Sequence, residues 1–333
     1  MIDAFKIFFI LIFLFIVFIF CFLFIGKERP AKEIQWGVVF SQKQAEGLGL
    51  DWKEVFLALL DDLKIKNIKI ITHWDLIEPK KDAFEFSDLD WQVKEAQKRN
   101  AKVILVLGMK TGRWPECHLP FWAKDLKKEF QQEEILELIK KIVLRYKNYS
   151  HILYWQIENE PFFKFGECPQ WWPQKSFLKK EIDLVRSLDK RKIIISDSGE
   201  FSFWITPAQL GDVVGITLHR IVYFKELGVY LKYPFPPIYY WRRVQLIKHL
   251  FGKKVICVEL QAEPWGKTLL YWSPLFEQEK TMNLNQLREN IRFAKKTGLD
   301  VFYFWGGEWW YWLKEKQNKK EIWEEIKNLV KNF

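Results

Sequence analysis

Eight short apolar segments, each set apart from the next by a longer stretch, leave this chain few folds to choose from. They read IQWGVVF near 35–40, NIKIIT (67–72), KVILVLG (102–108), HILYWQI (151–157), KIIISD (192–197), DVVGITL (212–218), KVICVE (254–259) and DVFYFW (300–305). The segments are β-branched and do not alternate with polar residues, as expected of parallel strands covered on both faces. Parallel neighbours need crossovers, and the intervening sequence supplies amphipathic helical patterns such as WKEVFLALLDDLK, QQEEILELIKKIVLRYK and LNQLRENIRFAKKTG. Strand then helix, eight times over, predicts an α/β fold, a (β/α)8 TIM barrel. The alternative, an open doubly wound sheet, calls for a glycine-rich phosphate turn after its first strand, and VVFSQKQAEGLGLDW is not G-x-G-x-x-G.

Ahead of the barrel, every residue from Ile7 to Ile25 is apolar. A helix crossing the hydrocarbon layer needs about 20 such residues at ~1.5 Å each. The run ends in FLFIGKERPAKE without an A-x-A-like cleavage pattern, so an uncleaved transmembrane anchor is expected rather than a signal peptide. The expected organisation is an anchor over 1–26, a charged linker over 27–33 and a catalytic barrel over 34–333. Basic residues flank both ends of the run, so orientation has to follow from function. The formal charge of +10 does not point to nucleic acid, because Lys and Arg alternate with Glu as on solvated helix faces. Cys117 and Cys168 fall in loops after neighbouring strands; a disulfide and two free thiols are both open. Cys117, His118 and Cys168 lack a fourth ligand at zinc-like spacing, so no metal is expected. A monomer is expected.

Functional groups of such barrels sit on the loops after the strands, at one rim. Two apolar strands run directly into acids there: HILYWQI into ENEP, at Glu160, and VICV into ELQAEPW, at Glu259. Three βα units separate them, which places both on one rim across its mouth. A single acid at a strand end is usually a cap or an ion-pair partner. Two converging on one mouth are what glycoside hydrolysis requires, one to protonate the departing oxygen and one to attack the anomeric carbon or activate water. Retention of configuration needs the carboxyls ~5–5.5 Å apart, inversion ~6.5–9.5 Å. Glu158 lies two residues before Glu160, on the same face if the strand persists, and is read as a polar neighbour or sugar ligand; Glu263 is read as a loop residue.

The segment IENEP (157–161) resembles the Asn-Glu-Pro signature of clan A of the glycoside hydrolases, and VELQAEPW is similar to the nucleophile strand of those retaining barrel enzymes. THWDLIEPKKDAFEFSDLD (72–90) resembles the segment after the second strand in cellulase-like and β-galactosidase-like members. The resemblance covers the barrel from about residue 35 onward. It implies Glu160 as acid/base, Glu259 as nucleophile, Asn159 on the sugar 2-hydroxyl and Trp305 as the platform beneath the reacting sugar. His219 and Tyr223 resemble a histidine and tyrosine near the nucleophile, although HRIVY sets them four residues apart where family members often have two. The arginine many members carry on the second strand is replaced by Lys69, or its role by His73.

The 18 Trp and 29 Phe exceed what a core of this size requires. Trp74, Trp114, Trp122, Trp171, Trp172, Trp265, Trp272, Trp309, Trp310 and Trp312 fall in or beside post-strand loops. They are expected either to stack on pyranose faces or to seal the barrel top. Arg113, in TGRWPECH, is an ion-pair partner or a sugar contact. The expected substrate-binding set is therefore Asn159, Trp74, His73, Arg113, His219, Tyr223, Trp265 and Trp305. No cofactor is implied, because two carboxyls and water suffice. The reading is a membrane-anchored retaining β-glycosidase or transglycosidase, its barrel extracytoplasmic and its partner a carbohydrate. Alternatives are a non-catalytic carbohydrate-binding barrel, which both acids oppose, and a metal- or phosphate-using barrel, for which FWGGEWWYW offers only two glycines among tryptophans.

Overall fold

The structure, a computed structural model, describes residues 4–168 and 174–331. It opens with helix α1 (Ala4–Phe24), 21 residues with no acid in its sequence and nearly all side chains exposed. By length and hydropathy it is a helix able to cross a membrane. Strand β1 (Gln35–Phe40) follows, then α2 (Gln42–Gly47) and α3 (Trp52–Asp61), β2 (Asn67–Ile71), α4 (Trp74–Ile77), α5 (Ser87–Lys98) and β3 (Lys102–Leu107). The middle of the chain gives α6 (Lys128–Tyr146), β4 (Ile152–Ile157), α7 (Lys175–Leu188), β5 (Lys192–Asp197), α8 (Ile205–Leu210) and β6 (Val213–Leu218). A hairpin of β7 (Ile221–Phe224) and β8 (Val229–Lys232) precedes α9 (Pro237–Phe251) and β9 (Lys254–Gln261). The chain closes with α10 (Leu275–Gln278), α11 (Leu284–Lys296), β10 (Val301–Trp305), α12 (Gly307–Lys316) and α13 (Glu321–Lys331).

All strands except the hairpin pair in parallel and close into an eight-stranded barrel in the order β1-β10-β9-β6-β5-β4-β3-β2. The eight expected strands are the eight that form. Each is fully buried over most of its length because helices cover its outer face. The chemistry of the pleat then sorts the side chains. Outward residues such as Phe40, Leu105, Trp155 and Ile195 join one core with the helices, whereas Val39, Ile71, Ile104, Val106, Ile194 and Val258 fill the barrel interior. Toward the C-terminal ends that interior turns polar: Lys69, Gln156, Ser196 and Thr217 are all fully buried there.

The hairpin is the one pair of strands that the apolar pattern does not announce. Its strands, IVYF and VYLK, are four residues each and mostly half-buried or exposed, too short an apolar stretch to stand out as a barrel strand.

Candidate active site

Glu259 owes its position to an irregularity in β9. Ile256 and Val258 point into the barrel and Cys257 points out, so strict alternation would send Glu259 outward. The register prevents this. Ile216 on β6 pairs with Cys257 and Thr217 pairs with Glu259, leaving Val258 as an extra residue, and the shift recurs on the β10 side. This β-bulge turns Glu259 back over the mouth. The strand does not end at the acid, as the sequence reading had it, but runs on to Gln261.

Glu160 is aimed differently. β4 stops at Ile157, and both Glu158 and Glu160 adopt left-handed backbone, with φ of 56° and 44°. Non-glycine residues there carry strain that the surroundings must hold. The Glu160 backbone N–H donates to Ser196 Oγ at 2.9 Å, and its carboxyl accepts from Thr217 Oγ1 at 3.0 Å. Two strands further round the barrel thus fix one residue.

The break in β4 also corrects the reading of Glu158. It does not share a face with Glu160: its carboxyl accepts from the backbone N–H groups of Met109 and Lys110 at 2.9 and 2.6 Å, and it meets the carboxyl of Glu181 on α7. Glu158 is wholly buried, hence a brace for the loop after β3 and not a sugar ligand. Gly108, with φ of 120°, leaves the room its side chain fills.

The two mouth carboxyls are driven in opposite directions. Burial, opposed by Lys110 and reinforced by the negative charge of Glu259, pushes Glu160 up to about 8. Burial pushes Glu259 up as well, but the Lys69 ammonium, 2.8 Å from its Oε1, outweighs it and holds the carboxyl below its ordinary value. Thr217, which pairs with Glu259 across β6 and β9, is also the donor to the Glu160 carboxyl, so the two acids share one locus. Lys69, fully buried in the barrel, also reaches Asn159 Oδ1 at 3.4 Å.

Asn159 is clamped by these groups. Its Oδ1 also accepts from Gln156 Nε2 at 3.2 Å, and its side chain bonds Glu116, a third buried carboxyl raised to about 7, chiefly by burial. Gly112, with φ of 97°, brings its backbone against both Asn159 and Glu259; a Cβ there would lie 3.4 Å from the amide and 3.6 Å from Glu259 Oε1. His219 packs edge-on against Trp265 and Trp305, with ring centroids 5.0 and 5.5 Å away. Burial lowers it to about 4, so the imidazole is neutral at pH 7, and its Nδ1 has no partner among the described residues.

Four residues expected at the sugar have protein partners in the structure. Trp74 is completely buried, edge-on to Trp122, its indole N–H donating to Glu78; it seals the barrel and offers no ring face. His73 bonds Ser41 Oγ at 3.1 Å and packs against His118, whereas Lys69 is the residue that bonds Glu259. Arg113 is buried in ion pairs with Glu263 and Glu308, its guanidinium 4.5 Å from the Trp305 ring centre. Its two terminal nitrogens are taken by the acid pair, while its Nε has no partner among the described residues. Tyr223 packs on Tyr230 in the hairpin, its hydroxyl near Gly228, away from the carboxyls; only its backbone serves the site, donating to Trp265 O. Trp309 and Trp310 are likewise core, whereas Trp114 and Trp272 are exposed. Trp171 and Trp172 lie outside the described residues.

Residues the sequence reading missed are Lys110, Glu116, Ser196 and Thr217. Thr217 had a legible signal, lying two residues before His219 on an otherwise apolar strand. Lys110 and Glu116 had none, since the loop that brings them in depends on the Cys117–Cys168 disulfide, whose Cα atoms are 5.5 Å apart. That bond settles the open alternatives for the two cysteines and removes both from metal binding.

Known proteins share this fold. A GH5_18 protein of Bifidobacterium longum subsp. longum, crystallised with Manb1-4GlcNAc, superposes with a TM-score of 0.64 at 13% identity over 90% of this chain and 78% of that one. Xylanase 10B of Thermotoga petrophila gives 0.54 at 15% identity over 90% and 94% of the two chains. At such identities these likenesses show the fold. The β-galactosidase LacZ of Lactobacillus acidophilus is 26% identical over 189 residues, 49% of this chain but only 27% of its own length. The chain therefore spans little more than a quarter of that relative. Residues 39–219, over half of the sequence, match the cellulase family, and the chain belongs to that family, glycosyl hydrolase family 5.

Proposed function

We propose that the protein is a membrane-anchored retaining β-glycosidase, with Glu160 as acid/base and Glu259 as nucleophile. The observation that carries this reading is the opposed tuning of two carboxyls over one mouth: Glu160 is raised to about 8 and keeps a proton to give, while Glu259 is held ionised by Lys69. Pairs of acids pushed apart in this way divide the labour of glycoside cleavage.

In the first step a Glu259 oxygen bonds the anomeric carbon, the glycosidic C–O bond breaks, and the Glu160 proton passes to the departing oxygen. In the second, Glu160, now a carboxylate, takes a proton from water as the water oxygen displaces Glu259. A sugar hydroxyl as acceptor in place of water gives transfer instead. Asn159, its amide oxygen occupied by Lys69 and Gln156, presents its remaining N–H to the sugar 2-hydroxyl. Neutral His219 offers Nδ1, and Trp305 and Trp265 form the platform. The apolar α1 fits an anchor that keeps the barrel at an extracytoplasmic membrane surface.

The test is hydrolysis of 4-nitrophenyl β-glycosides of galactose, glucose and mannose by the full chain, with the first-formed anomer read by NMR. The β-anomer is expected first. Glu160→Gln and Glu259→Gln are each expected to lower kcat at least a thousandfold, and robust turnover by either variant would overturn the assignment.

A further inference from the structure

The aromatic residues beside the mouth form a path that leads to the anchor. Phe24, in the last turn of α1, lies 6.3 Å (ring centroids) from Phe235; Phe235 lies 6.3 Å from Tyr233, Tyr233 5.3 Å from Phe201, and Phe201 6.1 Å from Phe163. Phe163 donates its backbone N–H to the Glu160 carbonyl, and Tyr233 feels the Glu160 charge. The anchor therefore leaves the barrel on the side where the acid/base sits.

The linker gives the barrel little freedom to swing from that position. Phe22 lies under Arg242 of α9, Phe24 packs on Tyr239, Arg29 stacks over Trp241 and Glu28 pairs with Lys296 at 3.1 Å. Residues 22–29 are thus tied down along α9 and the end of α11. Around this exit the barrel presents apolar side chains to solvent: Phe201, Phe203 and Ile205 after β5, and Leu227, Val229 and Leu231 on the hairpin. Phe203 is 61% and Leu227 68% exposed. Exposed Lys164 and Lys225 flank them, with exposed Glu226 beside Leu227 and Lys232 paired to Glu289 at 3.0 Å, so the ridge is apolar with a border of mixed charge, and its exposed apolar side chains are what suit a bilayer interface.

We infer that this ridge seats on the bilayer that α1 crosses, so that the mouth opens at headgroup level and takes β-glycosides whose aglycone is a lipid of the same membrane. This rests on the glycosidase reading for its substrate and on α1 as an anchor for its geometry. The hairpin, which the barrel does not need for closure, becomes the part of the chain that sets the height of the mouth above the membrane.

The test uses the full chain in vesicles of phosphatidylcholine and phosphatidylglycerol. An environment-sensitive dye on Leu227→Cys, in a Cys21→Ser background, is expected to be quenched by lipids spin-labelled near the headgroup. An unquenched dye, or protection that grows with the protein-to-lipid ratio as for a second copy, would overturn the seat. Dodecyl β-glycosides dissolved in the vesicles are then compared with soluble 4-nitrophenyl β-glycosides of the same sugars. The triple variant Phe203→Ser, Leu227→Ser, Leu231→Ser is expected to lose about tenfold in kcat/KM on the dodecyl glycosides only, as the gain from a shared surface is lost. Equal loss on both substrates, or none on either, would overturn the substrate class. Failure of the unaltered chain on every glycoside would refute the glycosidase reading, while the dye still decides the seat.

Discussion

Replacing Lys69 by Met removes the one ammonium in contact with Glu259. At 2.8 Å and an effective dielectric of ~20 the attraction is about 6 kcal/mol, an upper bound of roughly four pKa units. Burial, the largest influence on Glu259, would then act with much less opposition. Nearby buried carboxyls show where this leads: Glu263 is raised to about 7 and Glu160 to about 8. Glu259 in the variant is therefore expected above its ordinary value, with a larger share protonated where it should attack. The acid limb of kcat/KM should move to higher pH, and at pH 5.5 the rate should fall by about tenfold or more. Lys69→Arg keeps the charge and should keep the limb in place. The assay is kcat/KM on a soluble 4-nitrophenyl β-glycoside from pH 4 to 9, with thermal unfolding to verify the fold. A folded Lys69→Met protein whose acid limb stays where it was would refute the reasoning.

The buried Glu158–Glu181 pair predicts a pH-dependent stability. Both pKa values are raised in the folded state by burial, Glu158 to about 7, so the folded protein holds protons that the unfolded chain releases near 4.5; stability falls as pH rises through that window. Glu181→Gln should flatten this slope and raise Tm at pH 8 more than at pH 5, and parallel Tm–pH curves would count against it. The Cys117–Cys168 disulfide closes a loop with a sequence separation of 51, for which chain entropy gives at most ~4 kcal/mol. Cys117→Ala with Cys168→Ala should lower denaturant stability by a few kcal/mol and raise KM, since Glu116 and Gly112 lose their anchorage; an unchanged KM would detach the bond from the site. Trp265→Ala should raise KM about tenfold, the worth of one stacked ring, whereas the buried Trp74→Phe should leave KM unchanged. The reverse ranking would restore Trp74 to the sugar.

The barrel was legible because parallel strands buried on both faces must be apolar throughout, and eight such runs admit few closures. Glu160 and Glu259 stood out because an acid at the end of an apolar strand is conspicuous. What aims them was not. The bulge at Val258 is a register relation between β9 and its neighbours, visible only once β6 and β10 are in place. The left-handed backbone at Glu158 and Glu160 reverses the alternation that made Glu158 look like a second site residue. Trp74 and Arg113 each kept two readings because a post-strand position says which rim a residue occupies, not whether its ring or guanidinium reaches solvent; Trp122 and Glu78 close over the first, and Glu263 and Glu308 pair with the second.

Covalent capture of the glycosyl-enzyme tests the division of labour most directly. The full chain would be incubated with an activated 2-deoxy-2-fluoro β-glycoside of a sugar it turns over, then digested and sequenced by mass spectrometry. The label is predicted on the Glu259 carboxyl, at one sugar per chain. A label on Glu160 or Glu116, or inactivation with no covalent sugar, would contradict the account.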